Sequence, residues 1–432
     1  MEISKKKINS NEALSIFFSS IIFIYFLYGF FTNENSAGAG PYDFELIWSN
    51  LQLLKNNTFS NLDSILYNDS RPPLSYIIHI YLNPLISNKE NFRLSTLLIS
   101  LLVPILFFFS LKINYKNFNN YLLLLFTSII MLSPYFRTTA FWGLGENYGL
   151  ICVLSSYLIY SKIIKDKIKR DNFKNYLLIL LICFFSSLCV YFDQKLLFIP
   201  ILILFYLLKS NLNLRLKISS LVFFSIFSIP FLYLIYIWGS ILPPNATFAR
   251  GFGFKIHPYN LGYCLTIISF YLIPFFLLRK NILYEIKHKL INRNLKIVIF
   301  LILIYIFLLL MFGNFETLPN LGKGIIHKSF LFFFKDINLR LFFTLISFIL
   351  SSVVLYCYIS QKIDFSILLF FLLISLITFP FQQEYLDPLI YLLAFTFFRT
   401  KLELNFRSAY FIFAYFASFS ISSKIYYLTL LS

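Results

Sequence analysis

A carboxylate with the chemistry of a general base stands in the segment PYDFELI. Asp43 could take a proton from the hydroxyl group of an acceptor. Asp43 has a second interpretation, because aspartate is a favoured N-cap and a helical pattern follows it. A capping carboxylate is held rigidly, so the two interpretations are compatible.

Two more residues with possible binding roles lie in the segment SRPPLSYIIH. Arg71 precedes a pair of prolines that ends one loop and starts an apolar helix, and His79 lies within that helix. Both could bind a substrate. The alternatives are an arginine that extends its charge to the membrane surface and a histidine with a structural role in the helix.

An aromatic and glycine-rich loop, FRTTAFWGLGENYGLI, carries a second pair of opposite charges. Glu146 could be a second acid beside Asp43 that binds the acceptor or a metal, and Arg137 could bind substrate. The alternative is that Arg137 and Glu146 pair with each other at a helix boundary. Gly143 and Gly145 allow a tight backbone there, without forming a phosphate-binding loop.

Charged residues also occur where two apolar runs meet with almost no loop between them. Asp193 and Lys195 lie at this point, and charges at such a depth predict a function because they are costly there. Lys195 could neutralise a phosphate at the outer membrane surface, and interfacial anchoring is the alternative. Later loops add the candidate substrate-binding residues Arg250, His257, Gln383 and Glu384, with Lys255, Lys323, His327, Lys328, Gln382 and Asp387 near them.

Motifs for metal or nucleotide chemistry are absent from the sequence. The five cysteines all lie in apolar runs without the spacing of a disulfide or metal site. No zinc-protease, serine-hydrolase, phosphate-loop or calcium-loop pattern occurs. The sequence therefore predicts no disulfides and no required cofactor; a divalent metal is compatible with the acids, but no pattern indicates one.

The composition predicts that membrane helices position these residues. Hydrophobic residues make up 59 % of the chain and charged residues 13 %, and the mean hydropathy is +0.75, which excludes an ordinary soluble domain. Apolar runs near bilayer length predict one all-α polytopic domain over residues 1–432, with about thirteen transmembrane helices. The predicted spans are 14–32, 93–111, 121–136, 148–161, 176–192, 196–208, 218–239, 261–278, 297–313, 340–360, 365–380, 388–398 and 408–421.

Charge placement predicts the orientation of these spans. With the N-terminus in the cytoplasm, 24 of the 37 Lys and Arg residues lie in the inner loops, as the positive-inside rule requires. The net charge of +18 is therefore a topology signal and does not indicate nucleic-acid binding. The outer loops carry the candidate residues, so we expect function on the outer face.

The first outer loop, residues 33–92, is expected to contain juxtamembrane helices. After Asp43 the apolar residues fall on one helical stripe, which we expect to lie on the membrane interface with its apolar side down. That placement would hold Asp43 where a lipid-borne substrate could reach it. The stripe consists of Phe44, Ile47, Leu51 and Leu54.

This layout resembles the GT-C class of integral-membrane glycosyltransferases, with similarity to protein O-mannosyltransferases, lipid A aminoarabinose transferases and lipid-phosphate-dependent glucosyltransferases. The resemblance covers the topology of most of the chain and is carried locally by PYDFELI, RPPLSYII, FRTTAFWGLGENYGLI and the DQK turn. It implies that Asp43 is the catalytic base, Glu146 the second outer-loop acid and Lys195 the residue that meets the donor phosphate. The family usually has two adjacent acids, whereas Phe44 separates them here, which leaves Glu45 as the other candidate base.

The resemblance also implies an inverting transfer of a sugar from a polyprenyl-phosphate donor to a hydroxyl of a glycan, lipid or protein acceptor. Its expected setting is cell-envelope glycan biosynthesis, in a bacterial inner membrane rather than the endoplasmic reticulum. The expected partners are that donor, the acceptor and membrane lipids, without nucleic acid. A polysaccharide polymerase, or a flippase or transporter of lipid-linked sugars, is the alternative.

Overall fold

The computed structural model describes residues 9–165 except 59 and 65, 172–245, 256–312 except 281 and 290–294, and 322–431 except 379 and 401. All regular elements in these residues are helices, which confirms the all-α class. The chain divides into a first unit, residues 1–252 with 420–432, and a second unit, residues 253–419.

The first unit contains eleven described helices before residue 252. Asparagine begins many of them: the side chains of Asn9, Asn88, Asn119, Asn172 and Asn213 each accept a hydrogen bond from the first turn of the helix that follows. The helices are α1 Ser10–Phe31, α2 Gly40–Asn56, α3 Leu74–Leu82, α4 Lys89–Ser100, α5 Leu102–Asn114, α6 Asn120–Ser128, α7 Pro134–Trp142, α8 Glu146–Lys165, α9 Phe173–Phe192, α10 Phe198–Lys209 and α11 Leu214–Trp238.

The second unit is arranged around one buried helix, α12, which packs against four neighbours in that unit. The last helix of the chain, α19, begins in the second unit, and its residues from Ser420 onward belong to the first. The helices are α12 Asn260–Leu277, α13 Ile282–Lys287, α14 Leu295–Phe312, α15 Gly324–Phe333, α16 Ile337–Tyr358, α17 Lys362–Ile377, α18 Leu389–Phe395 and α19 Phe406–Leu431. The four neighbours of α12 are α15, α16, α17 and α18.

Six helices in the described residues are long and apolar enough to cross a membrane, which indicates a membrane protein. Counting α6 and α7 as one crossing, bent by 69°, gives seven. The expected count of about thirteen is not confirmed. The six are Ser10–Phe31, Lys89–Asn114, Phe173–Phe192, Leu214–Trp238, Asn260–Leu277 and Ile337–Tyr358.

Short and broken helices account for part of this difference. The apolar run 388–398 contains α18, which has only seven residues, and the run 196–208 contains α10, which has twelve. At 1.5 Å per residue, helices of these lengths reach only about 10 and 18 Å, well short of a bilayer core of about 30 Å. Hydropathy alone does not separate such buried helices from membrane spans.

The amphipathic stripe after Asp43 exists, but its packing differs from the expectation. Phe44, Ile47, Leu51 and Leu54 are all buried by protein, and Phe44 lies 6.2 Å from the Phe92 ring and 6.0 Å from the Trp142 ring. Helix α2 contacts α3 and α7 with this side. The expectation that the stripe faces the membrane interface is therefore wrong, because other helices of the first unit already cover it.

Candidate functional site

An ion pair joins two of the sequence-predicted site residues. The guanidinium Nη2 of Arg71 lies 2.8 Å from Oε1 of Glu146, the first residue of α8. Both side chains are partly exposed, 24 % for Arg71 and 17 % for Glu146. The expected pairing of Glu146 with Arg137 does not form, so that interpretation is wrong. The second oxygen of Glu146, Oε2, is buried and has no hydrogen-bond partner among the described residues.

Three neighbours in sequence hold Arg71 in place. Asp69 Oδ1 accepts a hydrogen bond from the Arg71 backbone N–H at 3.1 Å, and its Oδ2 lies 3.9 Å from the guanidinium. The Tyr76 hydroxyl donates to Asp69 Oδ2 at 2.5 Å, and the Tyr67 hydroxyl donates to the Arg71 carbonyl at 2.8 Å. Burial opposes the charge, but the nearby carboxylates of Glu146 and Asp69 hold the Arg71 pKa well above its usual range.

A second ion pair completes the group. Lys195 Nζ lies 2.8 Å from Asp193 Oδ2, and Asp193 Oδ1 accepts from the Lys195 backbone N–H at 3.2 Å. Asp193 is close enough to Arg71 to contribute to its raised pKa. We call Asp69, Arg71, Glu146, Asp193 and Lys195 the Arg71 cluster. It brings together three segments of the chain: the turn before α3, the first turn of α8 and the turn before α10.

Small residues at the start of α8 allow these segments to approach. A Cβ on Gly145 would lie 3.3 Å from the Ser75 side chain in α3. A Cβ on Gly149 would lie 2.6 Å from Leu196, next to Lys195. Helix α8 therefore lies close both to the Arg71 turn and to the Asp193 turn, which places Glu146 between them.

The two candidate bases lie on different sides of α2. Asp43 is half-buried in the first turn, and its backbone N–H donates to the Ala39 carbonyl at 2.9 Å, so the helix begins before Asp43 and the N-cap interpretation is wrong. Glu45 is exposed and pairs with Lys89 at 2.6 Å. Asn50 lies seven positions after Asp43. The two residues are therefore on the same face of α2, about 10 Å apart along the helix axis.

Hydrogen bonds of Asn50 connect this face of α2 to the Arg71 cluster. Asn50 donates to the Asn68 carbonyl and accepts from the Asn68 N–H, both at 2.9 Å. Asn68 directly precedes Asp69. The side of α2 that carries Asp43 is therefore joined to the turn that holds Arg71.

Arg137 belongs to a different ion network, in which Arg137 and Glu34 are fully buried and Lys424 is partly exposed. Its guanidinium donates to both oxygens of Glu34 at 2.7 Å, and Lys424 lies 3.3 Å from Glu34 Oε2. The Trp142 indole N–H donates to the Glu34 carbonyl at 2.9 Å. Burial would raise the Glu34 pKa, but the hydrogen bond and charge of Arg137 outweigh it and hold that pKa below its usual value. Arg137 therefore ties loops together in the first unit.

His79 makes the contacts of a structural histidine. It is 2 % exposed, its Nε2 lies 2.8 Å from the Tyr148 hydroxyl, and its Nδ1 lies 2.9 Å from the Asn83 amide. The Phe92 ring packs edge-on at 4.7 Å. Burial lowers the pKa of His79 to about 4, so the ring is neutral at pH 7. A contact of His79 with substrate stays a prediction.

The later candidates lie in the second unit where they are described. His257 Nδ1 lies 3.0 Å from the Tyr259 hydroxyl. Gln383 is buried; its Oε1 accepts from the Ile325 N–H at 2.7 Å and its Nε2 donates to the Tyr271 hydroxyl at 2.9 Å. These bonds hold the start of α15 against the segment before α18.

The remaining candidates from the sequence are Glu384 and Arg250. Glu384 is half-buried in a short 3₁₀ turn, Gln383–Tyr385. Arg250 lies outside the described residues, as does Lys255.

Sequence reasoning missed several residues that hold the site. Asp69 and Tyr76 fix Arg71, and Glu34 fixes Arg137. Asp69 could have been found, because it lies two residues before Arg71 in a turn-forming segment. Glu34 gives no such signal, since 103 residues separate it from its partner.

No three His, Cys, Asp or Glu side chains in the described parts of the chain are grouped closely enough to hold a metal ion. The chain matches no protein-family model, no curated protein and no solved structure.

Proposed function

We propose that this protein is a membrane glycosyltransferase that moves a sugar from a polyprenyl-phosphate donor to an acceptor hydroxyl. The observation that supports this most strongly is the Arg71 cluster, in which Arg71, Glu146 and Lys195 come together from three separate segments. The cluster adjoins the helix face that carries Asp43. It combines cations for a phosphate with carboxylates for hydroxyl groups, as this reaction requires.

Asp43 is the proposed general base. It would take the proton of the acceptor hydroxyl, whose oxygen then bonds to the anomeric carbon, and the bond from that carbon to the phosphate oxygen breaks. Attack from the opposite side inverts the anomeric centre. Glu45 is the less suitable candidate, because it is exposed, faces away from Asn50 and is neutralised by Lys89.

The leaving group is the polyprenyl phosphate, which departs with the bonding electrons. Arg71 and Lys195 are the proposed cations that stabilise its charge. Each is paired with a carboxylate in this structure, so a phosphate would share them with, or displace, Glu146 and Asp193. The unpartnered Oε2 of Glu146 is the proposed acceptor for a sugar or acceptor hydroxyl, since a buried carboxylate oxygen without a hydrogen bond is costly.

The proposed site opens on the outer face of the membrane, with the N-terminus in the cytoplasm and the bacterial inner membrane as the proposed location. The proposed partners are the lipid-linked donor, a glycan, lipid or protein acceptor, and membrane lipids. The charge asymmetry between predicted inner and outer loops supports this orientation. No cofactor is required by the proposed steps.

The test is a transfer assay with the full chain in membranes. Polyprenyl-phosphate mannose, glucose and aminoarabinose, each radiolabelled in the sugar, are supplied one at a time, and label in membrane acceptors is counted. We expect Asp43→Asn to lower the rate by about 10²–10⁴-fold, the usual contribution of a general base. Glu45→Gln, the matched control in the same helix, should stay within about threefold of the wild type.

Three outcomes would contradict the proposal. Transfer by Asp43→Asn at the wild-type rate would remove Asp43 as the base. A loss confined to Glu45→Gln would assign that role to Glu45. Absence of transfer from all three donors, with the protein folded by thermal melting, would count against the transferase activity with these sugars.

A further inference from the structure

A lysine in an unfavourable backbone conformation begins helix α15 in the second unit. Gly322, Lys323 and Gly324 all have positive φ, at 73°, 67° and 81°. Glycine tolerates this region, but lysine does so only at a cost. The Lys323 N–H donates to the Phe381 carbonyl at 2.8 Å, and the Ile325 N–H donates to Gln383 Oε1 at 2.7 Å, so the surroundings fix the turn. Strain of this kind is most often retained at binding sites.

The Lys323 side chain is buried as well as strained. Only 8 % of the residue is exposed, and its ammonium lies 5.7 Å from the centre of the Tyr263 ring. A glycine would remove the strain, whereas the structure keeps a charged side chain here.

An unsatisfied histidine lies one helical turn further along. His327 is 4 % exposed, and its ring lies 5.2 Å from the same Tyr263 ring that Lys323 contacts. Its Nδ1 lies 3.2 Å from the Thr344 hydroxyl, while its Nε2 is buried and has no hydrogen-bond partner in the described residues. A buried ring nitrogen that no described group bonds is costly, and a ligand with a matching polar atom would satisfy it.

The local charge favours an anion as that group. Burial, together with the charges of Lys323, Arg340 and Lys328, lowers the pKa of His327 to about 3, so the ring is neutral at pH 7. When the Thr344 hydroxyl donates to Nδ1, Nε2 carries the hydrogen and becomes a donor. The first turn of α15, a helix of ten residues, adds the backbone N–H groups of Gly324 and Ile326 and the positive end of its dipole. The N–H groups of Lys323 and Ile325 already donate within the protein.

We propose that Lys323, Nε2 of His327 and the first turn of α15 bind one phosphate group. A phosphate offers at least three acceptor oxygens in a tetrahedral arrangement, so an ammonium, an imidazole N–H and helix N–H groups can all reach it. A soluble phosphate and the head of a polyprenyl phosphate share this chemistry, and the test below distinguishes them. This proposal does not depend on the transferase activity, and its test measures binding alone.

The test is titration of the full-length protein in detergent, followed by calorimetry at pH 7. The probes are inorganic phosphate, a short-chain polyprenyl phosphate and the corresponding phosphate-free polyprenol. Binding of both phosphates identifies a site for a free phosphate group, and binding of the lipid phosphate alone identifies a lipid head-group site. Equal binding of the polyprenol and its phosphate, or no binding of either phosphate, would overturn the proposal.

Two variants and a control make the test specific. Lys323→Gly removes the ammonium and the backbone strain together, so we expect at least tenfold weaker binding with an unchanged or higher Tm. His327→Phe keeps a ring against Tyr263 but loses the N–H, and should also weaken binding at least tenfold. Lys335→Met removes the same charge from an exposed position between α15 and α16 and should weaken binding by no more than about threefold. Wild-type affinity in a folded Lys323→Gly protein would overturn the assignment.

Discussion

The buried histidine of α3 makes a quantitative prediction about stability and pH. His79 is 2 % exposed, both ring nitrogens have hydrogen-bond partners, and burial lowers its pKa to about 4. In an unfolded chain the same ring has a pKa of about 6.5. Between about pH 4 and pH 6.5, His79 therefore carries a proton in the unfolded state but not in the folded state.

This difference in bound protons determines how the free energy of unfolding changes with pH. Stability falls as the pH is lowered from about 6.5 towards 4, because protonation favours the unfolded state. A difference of about 2.5 pKa units corresponds to about 3 kcal/mol in total, at 1.36 kcal/mol per unit. At pH 5 the loss amounts to about 2 kcal/mol.

The measurement compares the thermal unfolding of purified wild type and His79→Gln in detergent at pH 7.5 and pH 5. Glutamine cannot be protonated in this range and keeps a polar group beside Tyr148. We expect the wild type to lose about 2 kcal/mol more than the variant between the two pH values. His257→Gln, a change at a half-buried histidine of the second unit, controls for the general effect of losing a histidine.

Parallel pH dependence in wild type and His79→Gln would refute this reasoning. It would mean that the His79 pKa is the same in the folded and unfolded states. A lower starting stability of the variant does not affect the comparison, since only the change between the two pH values is used.

Two further substitutions test the packing of the first unit. Glu34→Gln leaves the buried Arg137 without its carboxylate and should lower the free energy of unfolding by about 3–5 kcal/mol. Glu45→Gln makes the same change in an exposed pair and should lower it by less than about 1 kcal/mol. Denaturant titration measures both values. Gly40→Ala would place a Cβ 2.4 Å from the Trp142 ring, whose N–H is fixed by the Glu34 carbonyl, so we expect a loss of about 1–3 kcal/mol and a lower Tm. An unchanged Tm for Gly40→Ala would show that the indole can move aside.

Local patterns in the sequence predicted the local structure of this protein well. The apolar stripe of α2 was readable because it repeats with helical spacing within one segment, and all four of its residues are buried. The sequence did not show which residues pack on this stripe. The covering residues, Phe92 and Trp142, lie 48 and 98 positions away from Phe44, and no local pattern contains that information.

The choice of ion-pair partner was the least predictable feature for the same reason. Arg137 and Glu146 are near each other in sequence, but they lie at different helix ends and pair with Glu34 and Arg71 instead. The number of membrane spans is not confirmed for a related reason. Apolar composition shows that a segment is buried, but it does not show whether lipid or protein buries it.

Two of the carboxylate–arginine pairs described in the first unit, Glu34–Arg137 and Glu146–Arg71, differ in whether a ligand can reach them. Glu34 and Arg137 are at most 1 % exposed, and both carboxylate oxygens accept hydrogen bonds from the guanidinium. A ligand in solvent cannot reach this pair, and it would have to break both hydrogen bonds to bind there. The pair of Arg71 and Glu146 has the same chemistry but keeps 24 % and 17 % exposure and one unused oxygen. This exposure and this oxygen are why we propose the Arg71 cluster, and not the Glu34–Arg137 pair, as the place where a substrate binds.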